Sequence, residues 1–140
     1  MIAYVDSSVF LRILLDQPME LPGWRTISLP LTSQLLRVES CRTLDRLVHS
    51  SLMPDDEYAE KLFEVERFLR SAIVLDVDKP LLFAASRRLP VRLATLDAIH
   101  LATAERFRTE FDESFVFATH DGELAAAARA SGFDVIGSAA

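Results

Sequence analysis

Hydrophobic and polar positions alternate along this chain in blocks that predict strands followed by helices. Short runs rich in branched and aromatic residues predict buried strands. These runs cover residues 2–5, 27–29, 72–77, 114–118 and 134–136. Longer segments with apolar residues three or four positions apart predict helices. The first helix covers residues 9–15. The second runs from a cap at Thr32 or Ser33 to about residue 49, and the third begins at residues 54–55. Three more cover residues 80–88, 98–111 and 124–130.

The residues between these blocks supply start and stop signals. Ser7 or Ser8 is expected to cap the first helix, and Asp-Gln-Pro at 16–18 ends it. Residues 19–30 contain two prolines and a glycine, which predicts mostly loop. Asp76 and Asp78 precede Pro80 and are expected to cap the helix that begins there, while Gly132 is expected to close the last helix.

Alternating strands and helices predict an α/β protein. The expected architecture is a three-layer α/β/α sandwich with a central, mostly parallel sheet. The length of 140 residues fits one domain, 1–140. In such sheets ligands bind beyond the carboxyl ends of the strands, so polar residues at those ends are the first candidates for chemistry.

The composition argues against disulfide bonds, a zinc site and a membrane span. The single cysteine, Cys41, excludes an intrachain disulfide, and with three histidines it offers no zinc cluster. No apolar run approaches the roughly 18 residues of a membrane span, and the first residues do not resemble a secretion signal. We therefore expect a cytoplasmic protein with no membrane partner.

The net charge of −6 argues against a nucleic-acid partner. However, all but two of the 15 basic residues are arginines, whose planar fork of donors matches phosphate well. Two divalent cations held by carboxylates would reduce the charge to about −2. Global charge therefore does not decide the question.

Acidic residues stand where strands pass into helices. Asp6 follows the first strand and Asp121 follows the fourth, so both are expected at the same edge of the sheet. Asp97 opens a helix, where the dipole is expected to keep it ionised, and Glu39 lies inside an amphipathic helix. Each acid alone is most simply a cap or a surface charge. Acids that converge repel one another unless a cation neutralises them, and oxygen ligands select Mg²⁺ or Mn²⁺, the ions of phosphodiester hydrolysis.

Five segments carry a family resemblance that spans the chain from Tyr4 to Ile136. They are Val-Asp-Ser-Ser-Val, Leu-Leu-Arg-Val-Glu-Ser, Thr-Leu-Asp-Ala-Ile-His-Leu-Ala-Thr-Ala, Phe-Ala-Thr-His-Asp and Ala-Ala-Arg-Ala-Ser-Gly-Phe-Asp-Val. In this order and spacing they resemble the PIN-domain nucleases, most of all the VapC-type toxins of prokaryotic toxin–antitoxin pairs.

The resemblance implies a metal-dependent endoribonuclease with an RNA substrate, a small cognate antitoxin and a homodimeric state. The metal-binding acids of the family map onto Asp6, Glu39, Asp97 and Asp121. The resemblance further implies that Ser7 helps to shape the site and that the hydroxyl group of Thr119 supports it. The implied cofactor is Mg²⁺ or Mn²⁺.

Four further residues have two interpretations each. Arg42 and Arg46 share a helix face with Glu39 and would contact RNA phosphates there, or Arg42 would simply pair with Glu39 at the surface. His100 lies one turn after Asp97 and would orient it or pack between helices. His120 would act as a general base, although a metal-activated water needs none.

Other acidic α/β classes fit less well. A receiver domain needs paired acids after the first strand and a late lysine, whereas only Asp6 is present and the lysines are Lys61 and Lys79. A haloacid-dehalogenase-type phosphatase needs Asp-x-Asp, but Ser8 occupies the second position. A catalytically silent PIN-like module that binds RNA or protein, and a PIN nuclease outside any toxin–antitoxin pair, remain the alternatives.

Overall fold

Five strands lie side by side in one parallel sheet in the computed structural model, which describes residues 1–18, 21 and 23–139. The strands are β1 (Ile2–Val5), β2 (Leu29–Ser33), β3 (Ile73–Leu75), β4 (Val116–Ala118) and β5 (Val135–Ile136). Their order across the sheet is β3-β2-β1-β4-β5, and each neighbouring pair is parallel. The central position of β1 explains its apolar sequence, since a strand with neighbours on both sides and helices on both faces is fully buried.

Helices connect the strands and cover both faces of the sheet. They are α1 (Ser7–Leu14), α2 (Leu35–His49), α3 (Asp55–Ser71), α4 (Lys79–Ala85), α5 (Thr95–Glu110) and α6 (Gly122–Ala130), with a short 3₁₀ turn at Trp24–Thr26. Alternate residues of β1 point to opposite layers: Ala3 and Val5 belong to the core beneath α1–α3, and Tyr4 to the core beneath α5 and α6. The predicted three-layer α/β/α architecture is confirmed.

The second strand differs from its prediction. A strand at 27–29 was expected, with Thr32 or Ser33 as a helix cap, but both residues lie in β2 and α2 begins at Leu35. The Thr32 hydroxyl group instead donates to the carbonyl oxygen of Val5 at 2.7 Å. Pro30 is tolerated because β3 pairs with β2 only from Leu31 onward, so the strand has a single neighbour at the proline.

Smaller differences concern the ends of elements. The predicted strands at 72–77 and 114–118 are shorter, the fourth helix ends at Ala85, and α5 begins at Thr95. Asp78 caps α4 by accepting from the Leu81 amide at 3.0 Å, and Gly132 has the positive φ of +88° expected after a helix. Part of the loop predicted at 19–30 falls on Met19, Glu20 and Pro22, outside the described residues. Among the described helices, none is long and apolar enough to cross a membrane.

Candidate active site

The carboxyl ends of β1 and β4 lie next to each other and form the floor of the candidate site. Val5 stands opposite Ala118 in the parallel register, so Asp6 and Thr119 leave the sheet at the same level. The backbone amide of Asp6 donates to the carbonyl oxygen of Ala118 at 3.2 Å, which continues the pairing by one residue. The expectation that the acids after these two strands share one edge is therefore correct.

Asp6 is buried, with 2% of its surface exposed, and both of its carboxylate oxygens accept hydrogen bonds. Oδ1 accepts from the Ser8 hydroxyl group at 2.7 Å and from the Val9 amide at 3.3 Å, and Oδ2 accepts from the Thr119 hydroxyl group at 2.8 Å. Asp6 is therefore the cap of α1, and the prediction that Ser7 or Ser8 caps this helix is wrong. Burial raises the pKa of Asp6, and its hydrogen bonds oppose that rise.

Thr119 joins the acids that follow the two strands. Its hydroxyl group donates to Asp6 and accepts from the backbone amide of Asp121 at 3.0 Å. Asp121 in turn caps α6, because its Oδ1 accepts from the Leu124 amide at 2.8 Å. One buried hydroxyl group thus sets the spacing between two acidic residues from neighbouring strand ends.

Glu39 enters the site from α2 and is held at both carboxylate oxygens. Oε2 accepts from the Ser7 hydroxyl group at 2.9 Å, and Oε1 lies 2.6 Å from Nε2 of His100. Nδ1 of His100 lies 2.6 Å from the hydroxyl oxygen of Tyr4. His100 therefore contacts Glu39 rather than Asp97, and the expectation that it orients Asp97 is wrong. It is fully buried, as the alternative of a packing histidine predicts, and it contacts Glu39 in addition.

Asp97 lies in the first turn of α5, which begins two residues before it. Burial, and then the negative charges of Asp121 and Asp6, raise the pKa of Asp97 to about 6, with a smaller contribution from Glu39. Desolvation and nearby like charges therefore outweigh the helix dipole and move the pKa of Asp97 above its ordinary value, although a pKa of about 6 still leaves the carboxyl group mostly ionised at neutral pH. The charges of Asp121, Asp6 and Glu39 all act on Asp97, so four carboxylates from four elements lie in the same part of the molecule; we call Asp6, Glu39, Asp97 and Asp121 the acidic cluster.

The donor set of the acidic cluster suits a hard divalent cation. Among the described residues, no three acidic, histidine or cysteine side chains form a ready-made set of metal ligands. Mg²⁺ commonly binds to only one or two carboxylates and keeps several waters, so it does not require such a set. Part of the rise in the pKa of Asp97 comes from repulsion by Asp121, Asp6 and Glu39, which a bound cation would relieve.

Comparison with known proteins identifies the family. The sequence profile of the PIN domain family matches residues 3–130. The chain belongs to the PIN domain family. Two curated relatives from Mycobacterium tuberculosis are similar over nearly their whole length. "Ribonuclease VapC46" is 34% identical over 136 residues, which cover 95% of each chain, and "Ribonuclease VapC47" is 30% identical over 138 residues, which cover 93% of this chain and 92% of the relative. The resemblance inferred from the sequence motifs is confirmed.

The basic residues predicted beside the site of this PIN domain lie on exposed turns of α2. Arg42 pairs with Asp45 at 3.1 Å, and 69% of its side chain is exposed. The predicted pair between Arg42 and Glu39 is not formed, because Ser7 and His100 occupy both oxygens of Glu39. Arg46 is exposed one turn further along the same helix.

His120 faces the chain segment after β5. Its Nδ1 donates to the carbonyl oxygen of Gly137 at 2.7 Å, while its backbone amide donates to the Ser8 hydroxyl group at 2.9 Å. Within the described part of the PIN domain, Nε2 of His120 is buried and has no hydrogen-bond partner. The ring therefore anchors the C-terminal segment, and this position gives no support to a role as general base.

Two residues of this network were missed in the sequence. Ser8 was interpreted only as a helix cap, although its hydroxyl group binds Asp6 and it stands two residues after that acid. Tyr4 was counted among the apolar residues of β1. The available signal was chemical: a tyrosine in a central strand must find a partner for its hydroxyl group when it is buried.

Proposed function

We propose that this PIN domain is a divalent-metal-dependent endoribonuclease that hydrolyses RNA phosphodiester bonds. The observation that carries the proposal is the gathering of four carboxylates at one edge of the sheet, where burial, and then the charges of Asp121, Asp6 and Glu39, raise the pKa of Asp97 to about 6. The printed names of its two relatives, both ribonucleases, support the same activity. Like charges gathered without a cation are unfavourable, so their presence at the sheet edge supports a binding role.

The acidic cluster would hold Mg²⁺ or Mn²⁺. When bound, such a cation activates water and neutralises charge on the phosphate that is cleaved. The chain's own residues prepare the cluster: Ser8 and Thr119 fix both oxygens of Asp6, and Ser7 and His100 fix both oxygens of Glu39. Asp97 contributes the least constrained carboxylate, since the structure gives it no hydrogen-bond donor among the described side chains.

RNA would approach along α2. Arg42 and Arg46 are exposed on the helix that carries Glu39, so their guanidinium groups would contact phosphates next to the cleaved bond. These contacts would offset the repulsion between RNA and a chain with a net charge of −6.

A cleavage assay tests the enzymatic part. The purified protein should cleave single-stranded RNA with Mn²⁺ or Mg²⁺ and lose this activity with EDTA. Asp97→Asn should lose most activity and bind Mn²⁺ more weakly in calorimetry, because the cation loses a charged ligand. Asp112→Asn is the matched control, since Asp112 is exposed just beyond α5. Equal Mn²⁺ affinity in wild type and Asp97→Asn would remove Asp97 from the site.

The biological part of the proposal is a cytoplasmic toxin that a small antitoxin neutralises and that acts as a homodimer. An acidic pocket of this kind attracts a basic side chain of an inhibitor, so the cation and the antitoxin would compete for it. Induced expression of wild type should arrest growth, and Asp121→Asn should not. If cells that express wild type and Asp121→Asn grow equally, while the purified wild type still cleaves RNA, the protein is a nuclease outside any toxin–antitoxin pair. Mn²⁺ or RNA binding without cleavage would indicate a silent binding module.

A further inference from the structure

A line of buried polar groups runs from the centre of the sheet to the acidic cluster. The hydroxyl oxygen of Tyr4 lies 2.6 Å from Nδ1 of His100, and Nε2 of His100 lies 2.6 Å from Oε1 of Glu39. Both Tyr4 and His100 are fully buried. The three residues come from β1, α5 and α2, so the line crosses the layer between the sheet and two helices.

The hydrogen bonds have one consistent direction. A carboxylate oxygen only accepts, so Nε2 of His100 donates to ionised Glu39. Nδ1 of a neutral imidazole ring then accepts, and the Tyr4 hydroxyl group is its donor. Tyr4 thus selects which nitrogen of His100 carries the hydrogen, and His100 presents that hydrogen to Glu39.

The rest of the Tyr4 side chain does not depend on this contact. Its ring packs against Phe117 and Phe107, with centroids 5.0 Å and 6.1 Å away, and phenylalanine would keep both contacts. The Tyr4 hydroxyl group and the His100 imidazole ring are two polar groups in a core that apolar residues could fill. Together they place a hydrogen-bond donor, Nε2 of His100, next to Glu39.

We propose that Tyr4 and His100 are positioning residues that hold Glu39 in the orientation in which it binds the cation. This inference rests on the proposed function, since it assumes that the acidic cluster binds a metal. Ser7 fixes one oxygen of Glu39 and His100 fixes the other, so the carboxylate plane is defined from two sides. Partners that orient a metal ligand in this way commonly contribute 10- to 100-fold to metal affinity.

Removal of one hydroxyl group tests the role of Tyr4. Tyr4→Phe should weaken Mn²⁺ binding roughly tenfold in titration calorimetry. Tyr58→Phe is the matched control, because Tyr58 is the only other tyrosine and packs on α3 against the opposite core. The control should bind Mn²⁺ as wild type does. If Tyr4→Phe melts earlier but binds Mn²⁺ with wild-type affinity, the residue is merely structural and the inference is overturned.

The same Tyr4 substitution in a protein that lacks the Glu39 carboxylate shows whether Tyr4 acts through Glu39. In Glu39→Gln protein, addition of Tyr4→Phe should cause no further loss of Mn²⁺ affinity, because the group that Tyr4 positions no longer carries its charge. An equal loss in both backgrounds would show that Tyr4 acts by another route and would overturn the inference.

Substitutions of His100 provide an independent measurement if Tyr4→Phe folds poorly. The amide nitrogen of Gln reaches about as far as Nε2, whereas the Asn side chain ends near Nδ1. His100→Gln should therefore retain Mn²⁺ affinity better than His100→Asn, and equal affinities would count against a positioning role. If wild type itself binds no Mn²⁺, the proposed function fails along with this inference. If wild type binds Mn²⁺ and Asp97→Asn does not, while the Tyr4 and His100 variants match wild type, only this inference fails.

Discussion

The hydroxyl group of Thr119 donates to Oδ2 of Asp6 at 2.8 Å, although 113 residues separate them in the chain. The same oxygen of Thr119 accepts from the Asp121 amide, so a single buried atom serves the residues after β1 and β4. Small polar side chains of this kind hold acids of the cluster at defined positions.

Removal of the Thr119 hydroxyl group should destabilise the fold. Thr119→Val keeps the volume but leaves a buried carboxylate oxygen of Asp6 and the Asp121 amide without their partner. We expect the free energy of unfolding to fall by about 1–3 kcal/mol. Urea unfolding of the valine variant and of Thr119→Ser, which keeps the hydroxyl group, measures the difference. Equal stability of the two variants would contradict a role for the hydrogen bonds.

The stability of the metal-free protein should depend on pH through Asp97. Its pKa is raised from 3.8 to about 6, so between these values the folded state keeps a proton that the unfolded state has lost. The stabilisation is complete below the lower value and is lost as pH rises through the higher one. With EDTA present, the contribution of Asp97 to the free energy of unfolding should therefore decrease from about pH 4 to about pH 6 and then level off.

Asp97→Asn should flatten this pH dependence, because asparagine does not titrate. Part of the slope should remain, since burial also raises the pKa of Asp6. Asp112→Asn, at an exposed position, should behave as wild type does. Identical slopes for wild type and Asp97→Asn would mean that Asp97 titrates normally.

Arg42 and Arg46 should contribute to RNA binding by charge. In the double variant Arg42→Ala/Arg46→Ala, the slope of log K against log salt should become shallower by about 0.7 for each lost phosphate contact. Arg67→Ala/Arg70→Ala on α3 is the control with the same change in net charge. Equal slopes in the two double variants would show that Arg42 and Arg46 make no specific contact with RNA phosphates.

Gly137 should not tolerate a side chain. Its φ is +93°, and a Cβ atom there would lie 2.7 Å from the carbonyl oxygen of Thr119. We expect Gly137→Ala to destabilise the protein by about 1–3 kcal/mol in thermal or urea unfolding. Gly122→Ala, at the start of α6 with open space around it, should be neutral or slightly stabilising. Equal effects at both positions would show that the segment after β5 can shift away from Thr119.

The order of the elements, the layered architecture and the acids at two strand ends could be predicted from the sequence alone. These features are local: an apolar run, a helical period or an acid that directly follows a strand is visible within a few residues. Parallel pairing then brings residues after neighbouring strands together, which is why Asp6 and Asp121 could be assigned to one edge of the sheet.

The groups that surround those acids could not be predicted, because they come together through tertiary packing. The contact between His100 and Glu39 joins residues 61 positions apart, and that between Tyr4 and His100 joins residues 96 positions apart. No periodicity within one element encodes such a contact, because it depends on how a strand and two helices pack. Asp97 shows the same limit. Its place at a helix start predicts a lowered pKa, but burial and the nearby carboxylates, which act only in the folded chain, raise the pKa instead.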